Sequence, residues 1–258
     1  MNHPPAAKTV DLRATCSSAE WNARVELAAC YRIFALQGWT ELIYNHITLR
    51  LPGPARHFLI NPFGLHYTEV CASNLVKIDL AGNVVGESAW PVNPAGFTVH
   101  AAIHDGIPGA HCVMHTHTTA GMAVACSAGG LSRSNFYSAM LHDKVAYHDF
   151  EGITGHADEG PRLVRNIGSR PLVILRNHGL LAWAGSVPLA FALLWTLNRA
   201  CEIQLASTAM GPVIEIAEDI QRKCTRDALQ FSDKFGAGQD VFDALTRLAD
   251  RTDASYRT

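Results

Sequence analysis

The sequence predicts one α/β or α+β domain, because segments with helical periodicity alternate along the chain with short apolar segments typical of strands. The chain has 258 residues, of which 48% are hydrophobic and 17% are charged, so it carries enough apolar surface for a full core. No internal repeat, low-complexity segment or Gly/Ser-rich linker divides it. These observations exclude a wholly disordered chain.

Capping residues, turn residues and periodicity predict the elements in order. Residues 1–17 show little pattern and are expected to form a flexible arm before a single domain over 18–258, with a core at about 20–210 and C-terminal helices at 211–251. Ser18 is expected to cap a helix that ends near Gln37. Strands are predicted at 44–51, 57–61, 75–80 with its hairpin partner 84–85, 111–117, 144–148 and 171–176. Further helices are predicted from Pro94 onward and at 119–127, 187–209, 214–231 and 241–251.

Charge and cysteine usage exclude several classes of protein. Lys and Arg number 21 and Asp and Glu 23, so no basic excess indicates a nucleic-acid or anionic-membrane partner. The most apolar stretch, 187–197, is too short to span a bilayer, and the first residues lack the apolar core of a secretory signal. The seven cysteines form no Cys-x-x-Cys pair, which favours reduced thiols in a cytoplasmic protein over a disulfide framework or a zinc ribbon.

Two short motifs contain the most informative of the 13 histidines. His115 and His117 end a predicted strand, where residues i and i+2 share one face, so both imidazoles can chelate one ion. His178 leaves the apolar strand 172–175 at a glycine turn and is well placed as a third ligand. Three histidines leave an open coordination position, as catalytic metal sites need. Taken alone, the first motif is equally consistent with polar residues that meet water, and the second with a hydrogen-bonded turn.

Together with the segments 60–64 (Ile-Asn-Pro-Phe-Gly) and 95–100 (Ala-Gly-Phe-Thr-Val-His), these motifs resemble the class II aldolase/adducin superfamily over about residues 20–210. The resemblance implies a three-layer α/β/α domain with a mostly antiparallel central sheet. It also implies that His115, His117 and His178 hold one divalent metal ion, with zinc expected first and Fe(II), Mn or Co as alternatives. Family members are commonly tetramers, so a homo-oligomer is expected, with the site at a subunit boundary.

The catalytic position of the sugar-phosphate aldolases is changed in this chain. Those aldolases carry a catalytic Glu four residues before the position of His100, where this chain has Gly96, and glycine cannot transfer a proton. Two serines that precede the Glu become Pro94 and Ala95. A less polar pocket wall with freed volume is therefore expected beside the metal.

The phosphate-binding positions are changed as well. The Gly-Asn pair becomes Asn45-His46, and a Thr-Gly turn becomes Phe63-Gly64, whose phenylalanine offers no donor to a phosphate. The pattern argues against a sugar-phosphate aldolase and resembles the adducin branch. The residues expected to bind substrate are Asn45, His46, Phe63, Gly64 and Gly96, with His46 facing an anionic group such as a carboxylate.

The missing Glu needs a replacement as proton carrier, and His100, Tyr147 and His142 are the candidate catalytic residues. His104 lies one helical turn after His100 and is expected only to pack against the sheet. Other residues carry a weaker expectation of a site role: Tyr137, His148 and Asp149 as proton carriers, Arg50 and Arg176 as anion contacts, and Tyr256 at a neighbouring subunit's site.

Three functions follow from the sequence. The first is a metal-dependent lyase or decarboxylase acting on a small non-phosphorylated carbonyl or oxo-acid substrate, because three metal ligands are retained. The second is a non-haem iron oxygenase acting on an aromatic oxo acid, since a three-histidine site with open positions can hold Fe(II). The third is a non-catalytic adducin-like binding protein, which the missing Glu favours. The predicted substrate has a chelating acid end and a largely apolar body.

Overall fold

A computed structural model describes residues 12–153, 158–228 and 236–258, without the side chains of residues 94 and 95. Residues 1–11 of the expected flexible arm lie outside the described residues, and the rest of the arm contains one helical turn, α1 (Leu12–Thr15). The first long helix, α2 (Ser18–Leu36), begins one residue earlier than predicted. Its cap is Ser17, whose side chain accepts a hydrogen bond from the Glu20 N–H.

The centre of the fold is a mixed β-sheet. Its strands in the described ranges are β1 (His46–Arg50), β2 (Phe58–Ile60), β3 (Val76–Ile78), β4 (Cys112–Thr116), β5 (Val145–His148), β6 (Leu172–Leu175) and β7 (Gly179–Ala184). They lie in the order β3-β2-β1-β4-β7-β6-β5, and every neighbouring pair is antiparallel except β5 and β6. The mostly antiparallel central sheet implied by the resemblance is confirmed.

Helices pack on both faces of this sheet. The remaining helices of the described ranges are α3 (Pro94–Gly106), α4 (Thr119–Ala125), α5 (Phe136–Ala139), α6 (Gly160–Ile167), α7 (Val187–Thr208), α8 (Glu218–Asp227) and α9 (Gln239–Thr252), with short 3-10 turns at Tyr67–Glu69 and Ala254–Arg257. None of them is long and apolar enough to cross a membrane. The last residues of the predicted helix at 214–231 lie outside the described residues.

The hydrophobic core divides between the two faces according to strand alternation. Helices α2, α4, α7 and α9 pack with Met114 on one face, whereas α3 and α6 pack with its neighbour Val113 on the other. Each fully buried Leu, Ile or Phe side chain contributes about 1.5–3 kcal/mol of transfer free energy. The expected three-layer α/β/α arrangement is therefore present, and residues with the parity of Val113 point toward α3.

Candidate metal centre

Strand β4 carries the first two site residues at its end, near the middle of the sheet. His115 shares the parity of Val113 and pairs with His46 of β1 on one side and Leu181 of β7 on the other. His117 follows the strand, and its backbone N–H donates to Asn45 Oδ1 at 3.0 Å. The sequence prediction that these two imidazoles share a face holds in the structure, where the His115 and His117 Nε2 atoms lie 2.7 Å apart.

The turn between β6 and β7 brings the third histidine to the same place. Asn177 has a φ of 58°, a left-handed conformation that Asn adopts more readily than most residues. The N–H of His178 donates to the Leu175 carbonyl at 3.0 Å, which closes the turn. A Cβ on Gly179 would lie 2.4 Å from the Thr116 carbonyl oxygen and 3.0 Å from the His117 ring. Only glycine allows β7 to approach β4 this closely, so Gly179 is a condition of the site.

The three imidazoles converge on one point. The ring centroids of His178 lie 4.8 Å from His115 and 5.0 Å from His117, and one nitrogen from each residue lies within 4.8 Å of the others. His115 Nδ1 lies 2.9 Å from the Leu180 carbonyl oxygen, which can only accept, so the proton sits on Nδ1 and Nε2 keeps its lone pair. A backbone carbonyl that fixes the tautomer in this way is a usual partner of metal-binding histidines.

Burial keeps these imidazoles in the neutral form that binds metals. Burial, followed by the charge of His117, lowers the pKa of His178 to about 4. Burial also lowers the pKa of His117, and it lowers that of His115 well below the ordinary histidine value, with the neighbouring histidines as further causes. Neutral rings with converging lone pairs fit a divalent ion such as zinc, which imidazole, a donor of borderline softness, suits.

Next to this triad lies a second group of histidines, which we call the histidine row: His46 on β1, His100 and His104 on α3, and Thr48 between them. His46 Nδ1 lies 2.9 Å from His100 Nε2, and Thr48 Oγ1 lies 2.7 Å from both His100 Nδ1 and His104 Nε2. His104, which the sequence assigns only a packing role, is thus bonded into the same row as His100.

The volume beside Gly96 is filled, contrary to the expectation that loss of the Glu frees it. A Cβ added to Gly96 would lie 2.6 Å from Cδ2 and 2.8 Å from Nε2 of His46. The His46 ring therefore occupies the space into which a side chain at 96 would grow. Glycine at 96 and histidine at 46 are consequently linked by packing, a link that sequence reasoning missed because the two positions are 50 residues apart.

Two of the three candidate catalytic residues have their contacts elsewhere. The Tyr147 hydroxyl accepts a hydrogen bond from the Leu131 N–H at 3.0 Å, and its ring lies under the Arg176 guanidinium at 4.7 Å. His142 bonds to Gln221 of α8 through Nδ1 at 3.2 Å. The structure therefore brings His100 to the metal triad through His46 and places Tyr147 and His142 in separate contacts.

The other candidates differ in their surroundings. Asn45 is buried and holds the chain before β1 by donating to the Trp39 carbonyl at 3.0 Å while accepting from His117. Phe63 and Gly64 lie in the loop after β2, which leaves the sheet at the end of β1 where His46 lies, because Ile60 pairs with Thr48. Tyr256, expected at a neighbour's site, is buried in its own chain and donates to Asp250.

A small recess adjoins His178 on the side of β5. Its lining includes His148, Asp149, Glu159 and Arg176. His148 is buried, accepts from the Asn166 amide through Nδ1 and faces Glu159 Oε1 at 3.3 Å through Nε2. The carboxylate of Glu159 was not singled out from the sequence, because nothing in its own motif links it to a histidine 11 residues earlier. A larger cavity of about 510 Å³ lies between α1, α2 and α9, and no member of the triad lines it.

Comparison with known proteins identifies the family. The family model for the class II aldolase and adducin N-terminal domain matches residues 25–205, about 70% of the chain, and these residues include all three triad histidines. This chain belongs to the class II aldolase/adducin family. A Pseudomonas aeruginosa relative with "aldolase class 2" in its name is 41% identical to this chain, over 96% of both chains. Mouse alpha-adducin is 40% identical over 96% of this chain, which spans 36% of the adducin's length.

Solved structures of the class II aldolase/adducin family confirm the fold. The crystal structure of an aldolase II superfamily protein from Pseudomonas syringae superposes with a TM-score of 0.90 at 38% identity, over 96% of this chain and 99% of that one. L-fuculose 1-phosphate aldolase from Glaciozyma antarctica superposes with a TM-score of 0.82 at 26% identity, over 99% of this chain and 97% of that one. The family thus contains both named aldolases and adducins.

Proposed function

We propose that this protein is a divalent-metal-dependent enzyme, a lyase or decarboxylase, that acts on a small non-phosphorylated carbonyl or oxo-acid substrate. The observation that carries the proposal is the convergence of three neutral imidazole nitrogens from His115, His117 and His178 within 4.8 Å. Bringing one buried and two half-buried imidazoles together without a shared ligand would cost free energy, because the only hydrogen-bond contact among their converging nitrogens in the described residues is the one at 2.7 Å between His115 and His117 Nε2. A cytoplasmic location and a homo-oligomer, with a tetramer favoured, belong to the same proposal.

The charge of the site favours an acidic substrate. The three ligands are neutral, so a divalent ion held by them keeps its full positive charge, which attracts a carboxylate or oxo-acid group. When bound, such an ion supplies Lewis acidity that polarises a carbonyl and stabilises an enolate. The protein's own contribution is to orient His115 through the Leu180 carbonyl and to hold His117 through Asn45. Arg176 lines the recess beside His178 and pairs with Asp149 Oδ1 at 3.4 Å, so the acid end of the substrate would have to displace this carboxylate to reach it.

Sugar-phosphate cleavage is disfavoured even though an L-fuculose 1-phosphate aldolase shares the fold. Gly96 has no proton-carrying side chain, and the His46 ring fills the space beside it. The similarity to adducins supports the alternative of a binding protein that does not catalyse a reaction. Iron in the purified protein, together with oxygen uptake, would instead favour the non-haem iron oxygenase that acts on an aromatic oxo acid.

Metal analysis of protein purified without added metal tests the proposal first. We expect about one divalent ion per chain in the wild type and less than about a tenth of that in His117→Ala, because the ion would lose one of three ligands. The matched control is His111→Ala, an exposed histidine just before the same strand, which should keep its metal. A wild type without metal would select the binding protein, and equal metal in both variants would exclude the triad as the site.

A ligand screen tests the substrate class. Aromatic 2-oxo acids should raise the melting temperature of the metal-loaded wild type and leave that of His117→Ala unchanged. L-Fuculose 1-phosphate is the comparison ligand, and no useful cleavage of it is expected. Turnover of this sugar phosphate at about 1 s⁻¹ or faster, within the usual range of enzymes, would overturn the proposal.

A further inference from the structure

The hydrogen bonds of the histidine row all run in one direction, from donor to acceptor, and this direction is set at the end farthest from the metal triad. His104 Nδ1 lies 2.7 Å from the Ala110 carbonyl oxygen, and a carbonyl oxygen can only accept. His104 is buried, and burial lowers its pKa to about 4, so the ring carries one proton near neutral pH. That single proton must sit on Nδ1, which leaves His104 Nε2 as an acceptor.

Each following bond then has one possible polarity. Thr48 has one hydroxyl proton and donates it to His104 Nε2, so its oxygen must accept from His100 Nδ1. His100 is fully buried, and burial lowers its pKa well below the ordinary histidine value, so its Nε2 carries no proton. His100 Nε2 must therefore accept from His46 Nδ1–H.

The direction ends at His46 Nε2. Because the proton of this ring is committed to Nδ1, Nε2 keeps its lone pair, and no group within the described ranges hydrogen bonds to it. This atom lies 2.8 Å from where a Cβ on Gly96 would stand, and the His46 ring lies 5.2 Å from the His115 ring, centroid to centroid. The unpartnered lone pair of His46 thus lies beside Gly96 and close to the metal triad.

We propose that His46 Nε2 is a fixed hydrogen-bond acceptor that recognises a hydroxyl group of the ligand next to its metal-binding oxygen. His100, Thr48 and His104 are positioning residues, because they act only by holding His46 in one tautomer. The proposal rests on the metal site of the proposed function and extends its ligand class from oxo acids to small carboxylic acids that carry a hydroxyl beside the carboxylate. It also replaces the expectation that His46 contacts an anion, since an acceptor lone pair repels a carboxylate.

The tautomers can be read directly by long-range ¹H–¹⁵N NMR of histidine-labelled, zinc-loaded protein. We expect the spectra of His46, His100 and His104 to show a protonated Nδ1 and a bare Nε2, assigned by single His→Gln variants. In Thr48→Val, His46 should show a mixture of both tautomers, whereas Thr48→Ser, which keeps the hydroxyl, should retain the single one. A wild-type His46 with its proton on Nε2 would overturn the proposal, as would a spectrum unchanged by Thr48→Val.

A pair of acids tests the recognition itself. Mandelate and α-methoxyphenylacetate share a carboxylate, a phenyl ring and an oxygen at the same carbon, and only mandelate offers a donor. Calorimetry on the zinc-loaded wild type should show that mandelate binds about tenfold more tightly than α-methoxyphenylacetate, because only mandelate can donate a hydrogen bond to the buried acceptor. In His46→Phe, which should keep its zinc, the preference should fall below about twofold.

The outcomes separate the inference from the proposed function. Equal binding of the two acids to the wild type, or an unchanged preference in His46→Phe, overturns recognition by His46 while the metal site stands. Failure of both acids to bind overturns the ligand class of this inference, whereas the proposed function fails only if the 2-oxo acids of the melting-temperature screen also leave the metal-loaded protein unchanged. Loss of zinc in His46→Phe makes His46 a metal ligand and likewise overturns the acceptor role.

Discussion

The metal triad and the histidine row use the same residue type in two different geometries. In the triad, His115 binds a carbonyl with one nitrogen and turns the other toward His117 and His178, so lone pairs converge. In the row, both nitrogens of His100 and of His104 are engaged, so these rings transmit an orientation instead of offering a ligand site. The comparison teaches that the partner of the second nitrogen decides what a buried histidine can do.

The largest effect is expected where the triad depends on strand approach. In Gly179→Ala the new Cβ would meet the Thr116 carbonyl oxygen at 2.4 Å, and a backbone atom of the central strand cannot move cheaply. We expect the free energy of unfolding to fall by about 4 kcal/mol, above the usual overpacking cost of about 1–3 kcal/mol because the clash is with backbone. Zinc affinity should fall at least tenfold, which corresponds to a loss of about 1.4 kcal/mol of binding free energy, because the clash would displace the zinc ligands.

Urea unfolding and zinc titration measure both quantities. The matched control is Gly185→Ala, just after the same strand, whose Cβ would find its nearest neighbour at 3.8 Å. The control should differ from the wild type by less than about 1 kcal/mol. Equal stabilities of the two variants would show that the close approach of β7 to β4 does not hold the triad.

The second largest effect on the free energy of unfolding is expected in the histidine row, for the substitution Thr48→Val. The substitution leaves His100 Nδ1–H and His104 Nε2 without partners in a fully buried place, at a cost of about 3 kcal/mol. Thr116→Val is a matched control, because Thr116 is equally buried on a neighbouring strand and its Oγ1 has no hydrogen-bond partner among the described residues. Chemical denaturation should find the control neutral or stabilised, and similar losses in both variants would refute the row.

Acid should weaken the row through His104. The folded pKa of about 4 lies below the ordinary value of 6.5, so between these values the unfolded chain binds more protons than the folded one. Stability is therefore present above pH 6.5 and falls as the pH decreases toward 4, by about 2 kcal/mol between pH 7 and pH 5 from this residue alone. The measurement compares urea unfolding of the metal-free wild type and of His104→Gln at both pH values. Parallel pH dependences would contradict the assignment.

The smallest effect concerns the contact that joins the two groups. Gly96→Ala in helix α3 gains about 1 kcal/mol of helix propensity, but its Cβ meets the His46 ring at 2.6 Å. We expect a net loss of about 1 kcal/mol, because the clash exceeds the gain. In a His46→Ala background the same substitution should instead stabilise by about 1 kcal/mol, since only the propensity remains. An unchanged sign in the two thermal-unfolding comparisons would rule out the packing link.

Most of the fold could be predicted because its elements carry local signals. Six of the strands have apolar runs bounded by turn residues, and α3 has its proline at the start. Strand β7 was missed, since Gly179–Ala184 follows the His178 turn so closely that its apolar run has no separate boundary. Helix α6 was missed because it is only 8 residues long and begins with Gly160 and Pro161, a pair typical of a turn.

Like the fold, the site has residues that local sequence patterns predict and contacts that join residues distant in the sequence. The His115 and His117 pair follows from strand alternation, and His178 was a candidate third ligand from its place at a glycine turn, although only the family resemblance joined the three into one site. The histidine row could not be predicted, because Thr48 is unremarkable in its strand and meets His100 only across 52 residues. The partners of His46 depend on how α3 lies over β1, which no sequence spacing expresses.

The metal triad also sets how metal and folding are coupled. His115 and His117 are neighbours in any extended chain, whereas His178 joins them only after β7 has paired with β4. The unfolded chain therefore keeps a two-histidine chelate. At high metal concentration the stabilisation by metal is set by the ratio of the folded chain's three-ligand affinity to the unfolded chain's two-ligand affinity. This stabilisation is smaller than it would be if the metal bound only the folded chain. At high metal concentration the melting temperature should accordingly reach a plateau, where further metal stabilises the folded and unfolded chains equally.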